Sequence, residues 1–235
     1  MPEDRTFDER LASIARDLLN EPDTQQTLQR VVDAAAENLD GTVWASVSLV
    51  VQRRRIETPV VSDDRAGHAD LLQYELAEGP CLDAIWEQET FLIDDMTTEQ
   101  RYPRWAQAVA EQTNIRSSLS LQLFTDDEHN SLGALNLYSP DPGAFDAETR
   151  GEGLAFAAQA AVALRSAQSE QNLRTAMATR TLIGQAQGIL MERLRITPDQ
   201  AFAVLSRLSQ DSNVKLREVA RWLVETGEIP DTQRG

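Results

Sequence analysis

The chain is poor in the residues that most enzymes and metal sites need. Its 235 residues include one cysteine, Cys81, and two histidines, His68 and His129. A single cysteine excludes an intrachain disulfide framework and a cysteine-rich zinc site, and it fits a reducing cytoplasm. Two histidines leave little for imidazole-based metal chemistry, so no metal or other cofactor is expected. Positive charge is scarce too: 22 basic residues stand against 38 acidic ones, a net charge of −16, and Lys215 is the only lysine. Taken over the whole chain this speaks against nucleic acid, whose phosphates are met by Lys and Arg. No apolar run approaches the roughly 18 residues that cross a bilayer. The start, MPEDRTFDER, is charged and lacks the apolar stretch of a signal peptide. A cytoplasmic protein without membrane contact is expected. What remains is ordinary globular composition, 41 % hydrophobic and 26 % charged, in a chain long enough for one large domain or two small ones.

The first 145 residues read as an α+β domain. Residues 7–19 and 24–39 are expected as helices, the second capped by Asp23 or Thr24 and broken by Asp40-Gly41. Residues 43–51 read as a strand with Trp44, Ser46 and Ser48 on one face, and 56–61 as its hairpin partner across a turn holding Arg53, Arg54 and Arg55. A short helix near 66–76 precedes Glu78-Gly79-Pro80-Cys81 and another short helix. Strand-like runs follow at 91–93, 118–124 and 132–138. A helix at about 103–112 separates the first two, and the polar turn TDDEHN joins the last two. This order predicts an antiparallel sheet flanked by helices.

From Asp146 the texture changes, with no proline between Pro142 and Pro198 and no strand pattern. One or two long helices are expected over 146–194. Leu154, Ala157, Ala161, Leu164, Gln168, Gln171, Thr175, Ala178 and Leu182 recur at spacings of three and four, a heptad-like seam. It admits two readings: a helix packed on its own domain, or a parallel two-chain coil. Length favours the coil, because the run outreaches a small sheet at about 1.5 Å per residue. The C-terminal part of the chain reads as three helices. The first has the core stripe Ile183, Ala186, Leu190 and Leu194. The second starts at Thr197-Pro198 and carries Ala201, Phe202, Leu205 and Leu208. The third starts near Val214, carries Leu216, Val219, Ala220 and Leu223, and ends at Gly227. Phe202 and Trp222 are expected in or beside this core.

These residues carry a resemblance. Residues 179–224, with IGQAQGILMER and AFAVLSRLSQDSNVKLREVA at fixed separation, resemble an ANTAR module. ASVSLV (45–50), EGPCLDAIW (78–86), RYPRW (101–105), SSLSLQLF (117–124), GALNLYS (133–139) and AFD (144–146) resemble a bacterial GAF domain. The division is then a GAF-like sensor or dimerisation domain at 1–150, a connecting coiled-coil helix at 151–178 and an ANTAR domain at 179–235. The resemblance implies a homodimeric RNA-binding antitermination regulator. It would bind paired hairpins with six-base loops in nascent transcripts and prevent a terminator from forming. The homodimer would form through the long helix and possibly the GAF domain, with an unknown small molecule as a GAF ligand.

The charge agrees once it is divided. Residues 1–164 hold 12 basic and 30 acidic residues, a net −18; residues 165–223 hold 9 and 5, a net +4. Charges separated by more than the Debye length, about 8 Å at physiological salt, are largely screened from each other. On the first ANTAR helix Arg180, Gly184, Gln187, Gly188 and Met191 lie opposite the core stripe. Two glycines in a helix interior cost about 0.8–1 kcal/mol each, and their reading divides between helix packing and close approach of an RNA loop. Gln185 and Gln187 suit the edges of unstacked bases, or simply a solvated surface. Gln187 stands where the family commonly has Lys, a loss that Arg174, Arg180, Arg193 or Arg195 could offset. Ser209, Gln210, Asn213, Lys215 and Arg217 form a second candidate group. Against it stands capping of the third helix by Ser212 or Asn213.

In the GAF part, Cys81 reads as a small buried residue before a redox sensor. Asp94-Asp95 reads as a solvated loop before a cation site, and His68 and His129 as surface residues. Pocket-facing residues would come from 44–50, 78–86 and 117–124. Two other functions compete. A helix-turn-helix DNA-binding factor would need a more basic recognition helix than one with only Lys215, Arg217 and Arg221. An enzyme such as a sulfoxide reductase or sensor kinase lacks a resolving thiol, a Gly-rich nucleotide loop and a histidine in the long helix.

Overall fold

A computed structural model describes residues 6–19, 21, 23–42, 44–51, 55–87, 90–123 and 133–228. Arg53, Arg54, His129 and the TDDEHN turn lie outside them. The chain divides into two compact units, 1–169 and 170–235.

In the first unit, α1 (Phe7–Leu19) and α2 (Thr24–Asn38) precede the sheet. Asp23 caps α2, accepting from the Gln26 amide, and Thr24 is the first helical residue. The strands are β1 (Trp44–Val51), β2 (Arg55–Val61), β3 (Phe91–Ile93), β4 (Ser117–Leu123) and β5 (Gly133–Ser139). They form one antiparallel sheet in the order β2-β1-β5-β4-β3. Both faces are covered, and the period-2 alternation of side chains sorts them. Ala45, Val47, Leu119, Leu121, Leu135 and Leu137 pack with α2 and with Phe156–Leu164 of the long helix α6 (Ala147–Leu194). The opposite face carries Trp44, Ser46, Ser48, Asn136 and Tyr138. It is covered by α3 (Asp64–Leu76), α4 (Pro80–Glu87) and α5 (Pro103–Thr113).

α6 is one uninterrupted helix of 48 residues. Its expected coil seam is only partly free. Ala157, Ala161 and Leu164 are buried against the chain's own sheet, because the GAF-like sheet needs a second cover for its apolar face. Farther on, every residue from 170 to 178 is exposed.

The second unit joins the end of α6 to α7 (Pro198–Ser212) and α8 (Leu216–Thr226). Thr197 and Gln200 form a reciprocal capping box ahead of α7, with Pro198 in the first turn. Ala186, Leu190, Ala201, Leu205, Val219, Ala220 and Leu223 form the core. Two residues expected on its stripes are not in it: Leu194 and Phe202 are 46 % and 45 % exposed, while Trp222, expected in or beside the core, stands beside it at 51 % exposed. The reason is angular: each aromatic adjoins a buried residue, Ala201 or Leu223, and successive helix positions differ by about 100°.

Candidate functional site

The strip predicted on the first ANTAR helix is largely open. Arg180, Gly184, Gln185 and Gly188 are exposed. A Cβ built at either glycine would meet nothing within 4 Å among the described residues, so neither is required by packing there. Arg180 has no ion pair among the described residues. Two members of the strip are engaged. Met191 packs partly against the core, and Gln187 Nε2 donates to the Pro198 carbonyl at 3.1 Å. Gln187 thus braces α6 against the start of α7.

The candidate offsets for the missing lysine differ. Arg174 pairs with Glu170 at 2.6 Å. The Arg193 guanidinium donates to the Gly227 carbonyl, tying α6 to the end of α8. Arg195 stands 3.9 Å from Glu192. Arg180 is the least committed.

The inter-helix group folds differently from the capping reading. Asn213 does not cap α8; it ends α7 in the left-handed conformation, φ 53°, which asparagine tolerates. Ser212 Oγ donates back to the Leu208 carbonyl, and Ser209 Oγ donates to the Val214 carbonyl at 2.6 Å. Lys215 occupies the N-cap position of α8 without a side-chain cap bond. Lys215 and Gln210 remain exposed. Arg217 is tied to Glu218 at 3.0 Å, and Arg221 shares that carboxylate at 2.7 Å.

The first unit holds a buried polar cluster on the α3–α4 side of its sheet. Asp70 is fully buried. Its Oδ1 accepts from Tyr138 Oη at 2.5 Å and Asn136 Nδ2 at 3.1 Å; its Oδ2 accepts from Thr58 Oγ1 at 2.9 Å. Burial raises its carboxyl above the ordinary value, and these donors pull the other way. Nearby, Ser118 Oγ, Ser120 Oγ and Asn136 Oδ1 are buried with no hydrogen-bond partner among the described residues. Ser120 and Asn136 are cross-strand neighbours, and Ser118 faces Tyr138. Sequence reading passed over Asp70, although its spacing from Ala66 and Gln73 places it on the inward stripe of α3.

The Glu78-Gly79-Pro80-Cys81 run is structural. Glu78 Oε1 accepts from the Arg104 and Trp105 amides, capping α5. A Cβ at Gly79 would fall 2.3 Å from Gln73 Oε1, the same atom that accepts from the Cys81 amide at 2.8 Å. Cys81 is buried, and desolvation with the Asp70 charge pushes its thiol up to about 12. That is the reverse of a redox-sensing thiolate. Asp95 belongs to an ion pair: Arg116 meets it through two nitrogens and, with the Thr97 amide, holds its carboxyl down at about 2. His68, partly exposed, bonds to Gln112.

Comparison with known proteins locates both halves. The GAF domain family matches residues 21–165 and the ANTAR domain family residues 171–224. No curated protein matches the chain. Among solved structures, the GAF domain of a Coxiella burnetii phosphoenolpyruvate-protein phosphotransferase aligns with a TM-score of 0.55 and 16 % identity, covering 71 % of this chain and 96 % of that one. Its Acinetobacter counterpart gives 0.54 and 14 %, covering 72 % and 98 %. The free methionine-R-sulfoxide reductase of Neisseria meningitidis, solved with its substrate, gives 0.51 and 17 %, covering 69 % and 90 %. At such identities the likeness is one of fold. With well over half its length matched, the chain belongs to the GAF domain family, and it carries a C-terminal ANTAR domain, the domain of RNA-binding antitermination regulators.

Proposed function

We propose that this chain is a non-enzymatic transcription antitermination regulator that binds RNA as a homodimer. In this reading residues 1–150 sense or dimerise, 151–178 connect as a coil, and 179–235 bind paired six-base-loop hairpins in a nascent transcript. Holding the RNA in that form keeps a terminator hairpin from closing. One observation carries the reading: the ANTAR-matched segment exposes Arg180, Gly184 and Gly188, and a Cβ at either glycine meets nothing within 4 Å among the described residues. Lys215 and Gln210 add a phosphate contact and a neutral donor-acceptor. Leu173 and Met177, 61 % and 63 % exposed on α6, support a second copy alongside.

The sensor site of this reading is the α3–α4 side of the sheet, where Ser118, Ser120 and Asn136 retain unused hydrogen-bonding capacity beside Asp70. It would take a small polar molecule. A DNA-reading third helix gains no support, since Arg217 and Arg221 are both engaged by Glu218. The test is sedimentation of the full chain with an RNA carrying two six-base-loop hairpins, and with each hairpin alone. Two chains per two-hairpin RNA, and much weaker binding to either hairpin alone, are expected. One chain per RNA with no gain from the second hairpin contradicts the dimeric reading.

A further inference from the structure

The ANTAR unit leaves a large aromatic half in solvent. Phe202 is 45 % exposed on α7, while the residues around it, Ala201 and Leu205, are fully buried. Gln187 ties the start of α7 to α6. That side chain bonds to the Pro198 carbonyl, and Pro198 stands four residues before Phe202, on the same side of α7. Gln187 itself lies on α6 among Arg180, Gly184, Gly188 and Met191. Gln187 thus ties the start of the helix that carries Phe202 to the strip of α6 that carries the two glycines, and all of these residues belong to one unit.

We propose that Phe202 is a stacking platform for an unpaired RNA base, with Arg180 taking a backbone phosphate beside it. This rests on the RNA-binding reading and adds to it the aromatic contact. Three features favour RNA as the occupant. A base presents a flat π-face that an exposed ring accommodates whatever its identity. The glycine strip has no Cβ standing above the helix backbone, so a loop can come close. The charge is complementary: residues 165–223 carry a net +4, and Arg180 has no ion pair among the described residues. The acidic residue nearest in sequence on α7, Asp199, lies in the first turn, where the helix dipole offsets its charge.

The test uses the full chain and a two-hairpin RNA with 2-aminopurine placed at each loop position in turn. Wild type is expected to quench the fluorophore in at least one position. Phe202→Leu, which keeps an apolar side chain of similar bulk, is expected to abolish that quenching and weaken binding roughly tenfold. Its salt dependence stays that of wild type, because no phosphate contact is lost. Phe202→Tyr and Phe202→Trp retain affinity and quenching. Arg180→Gln, in contrast, lowers the slope of log K against log salt by about 0.7. Undiminished binding and quenching by Phe202→Leu overturns the proposal while leaving RNA binding intact. So does failure of Phe202→Tyr to behave as wild type, or the absence of quenching by wild type at every loop position. Failure of wild type to bind the RNA at all removes the RNA-binding reading and Phe202's role together.

Discussion

Asp70 is the residue on which the interior of the sensor domain turns. It is a fully buried carboxyl with no cationic partner among the described residues, held by Tyr138, Asn136, Thr58 and Ser48. Burial raises its pKa above 3.8, so the folded state keeps the proton to a higher pH than the unfolded chain does. Above 3.8 the folded state therefore binds more protons than the unfolded one, and stability falls as pH rises until the folded carboxyl has itself titrated. The loss is at most about 1.4 kcal/mol per pH unit from one group. Asp70→Asn removes that limb. Urea unfolding followed by tryptophan fluorescence between pH 4 and 7 is expected to show wild type losing stability relative to the variant. Parallel curves would contradict the assignment. The sequence reading passed over Asp70: its spacing on α3 is compatible with an inward side chain, but the donors that satisfy it come from 12 to 68 residues away, and no local pattern announces them. Asn213 shows a related limit. Its residue type indicated a cap, and the chain uses it to end α7 rather than to begin α8.

At the scale of elements, the strands and most helix boundaries were legible because β-branched alternation, Asp23, Thr197-Pro198 and Gly227 each act locally. The partner of a helix face was not. The small residues Ala157 and Ala161 suit a coil seam or a sheet face equally well, and only the uncovered side of the sheet decides between them. Phe202, read onto the stripe of α7, misled for the same reason: a one-face stripe in a small bundle has room for few large side chains, and Phe202, like Trp222, lies next to the stripe rather than on it. The glycines of α6 allow a test in which stability and function move in opposite directions. Gly184→Ala and Gly188→Ala place a methyl in open space. Each is expected to stabilise the ANTAR unit by about 0.8–1 kcal/mol through helix propensity, read from thermal unfolding. Each is also expected to weaken RNA binding, because the methyl occupies the surface the loop approaches. Stabilisation with unchanged RNA affinity would show that the strip is not the interface.

Over the whole molecule, the net charge of −16 is the sum of opposed parts. The GAF-matched part is acidic and the ANTAR-matched part carries the positive charge, so the argument against nucleic acid applies to the sensor alone. Fold and family were legible because long blocks of sequence retain their spacing. The proposed sensor site was not, because Ser118, Ser120 and Asn136 come onto one face of adjacent strands only when β4 and β5 pair. The most direct test of the account is equilibrium binding of the full chain to the two-hairpin RNA and to a duplex DNA of equal charge across a salt series. The account predicts tighter binding to the RNA at every salt concentration, with a preference that persists as the electrostatic contribution is screened away. Equal affinity for both, falling together with salt, would reduce the basic segment to a nonspecific polyanion contact and contradict the account.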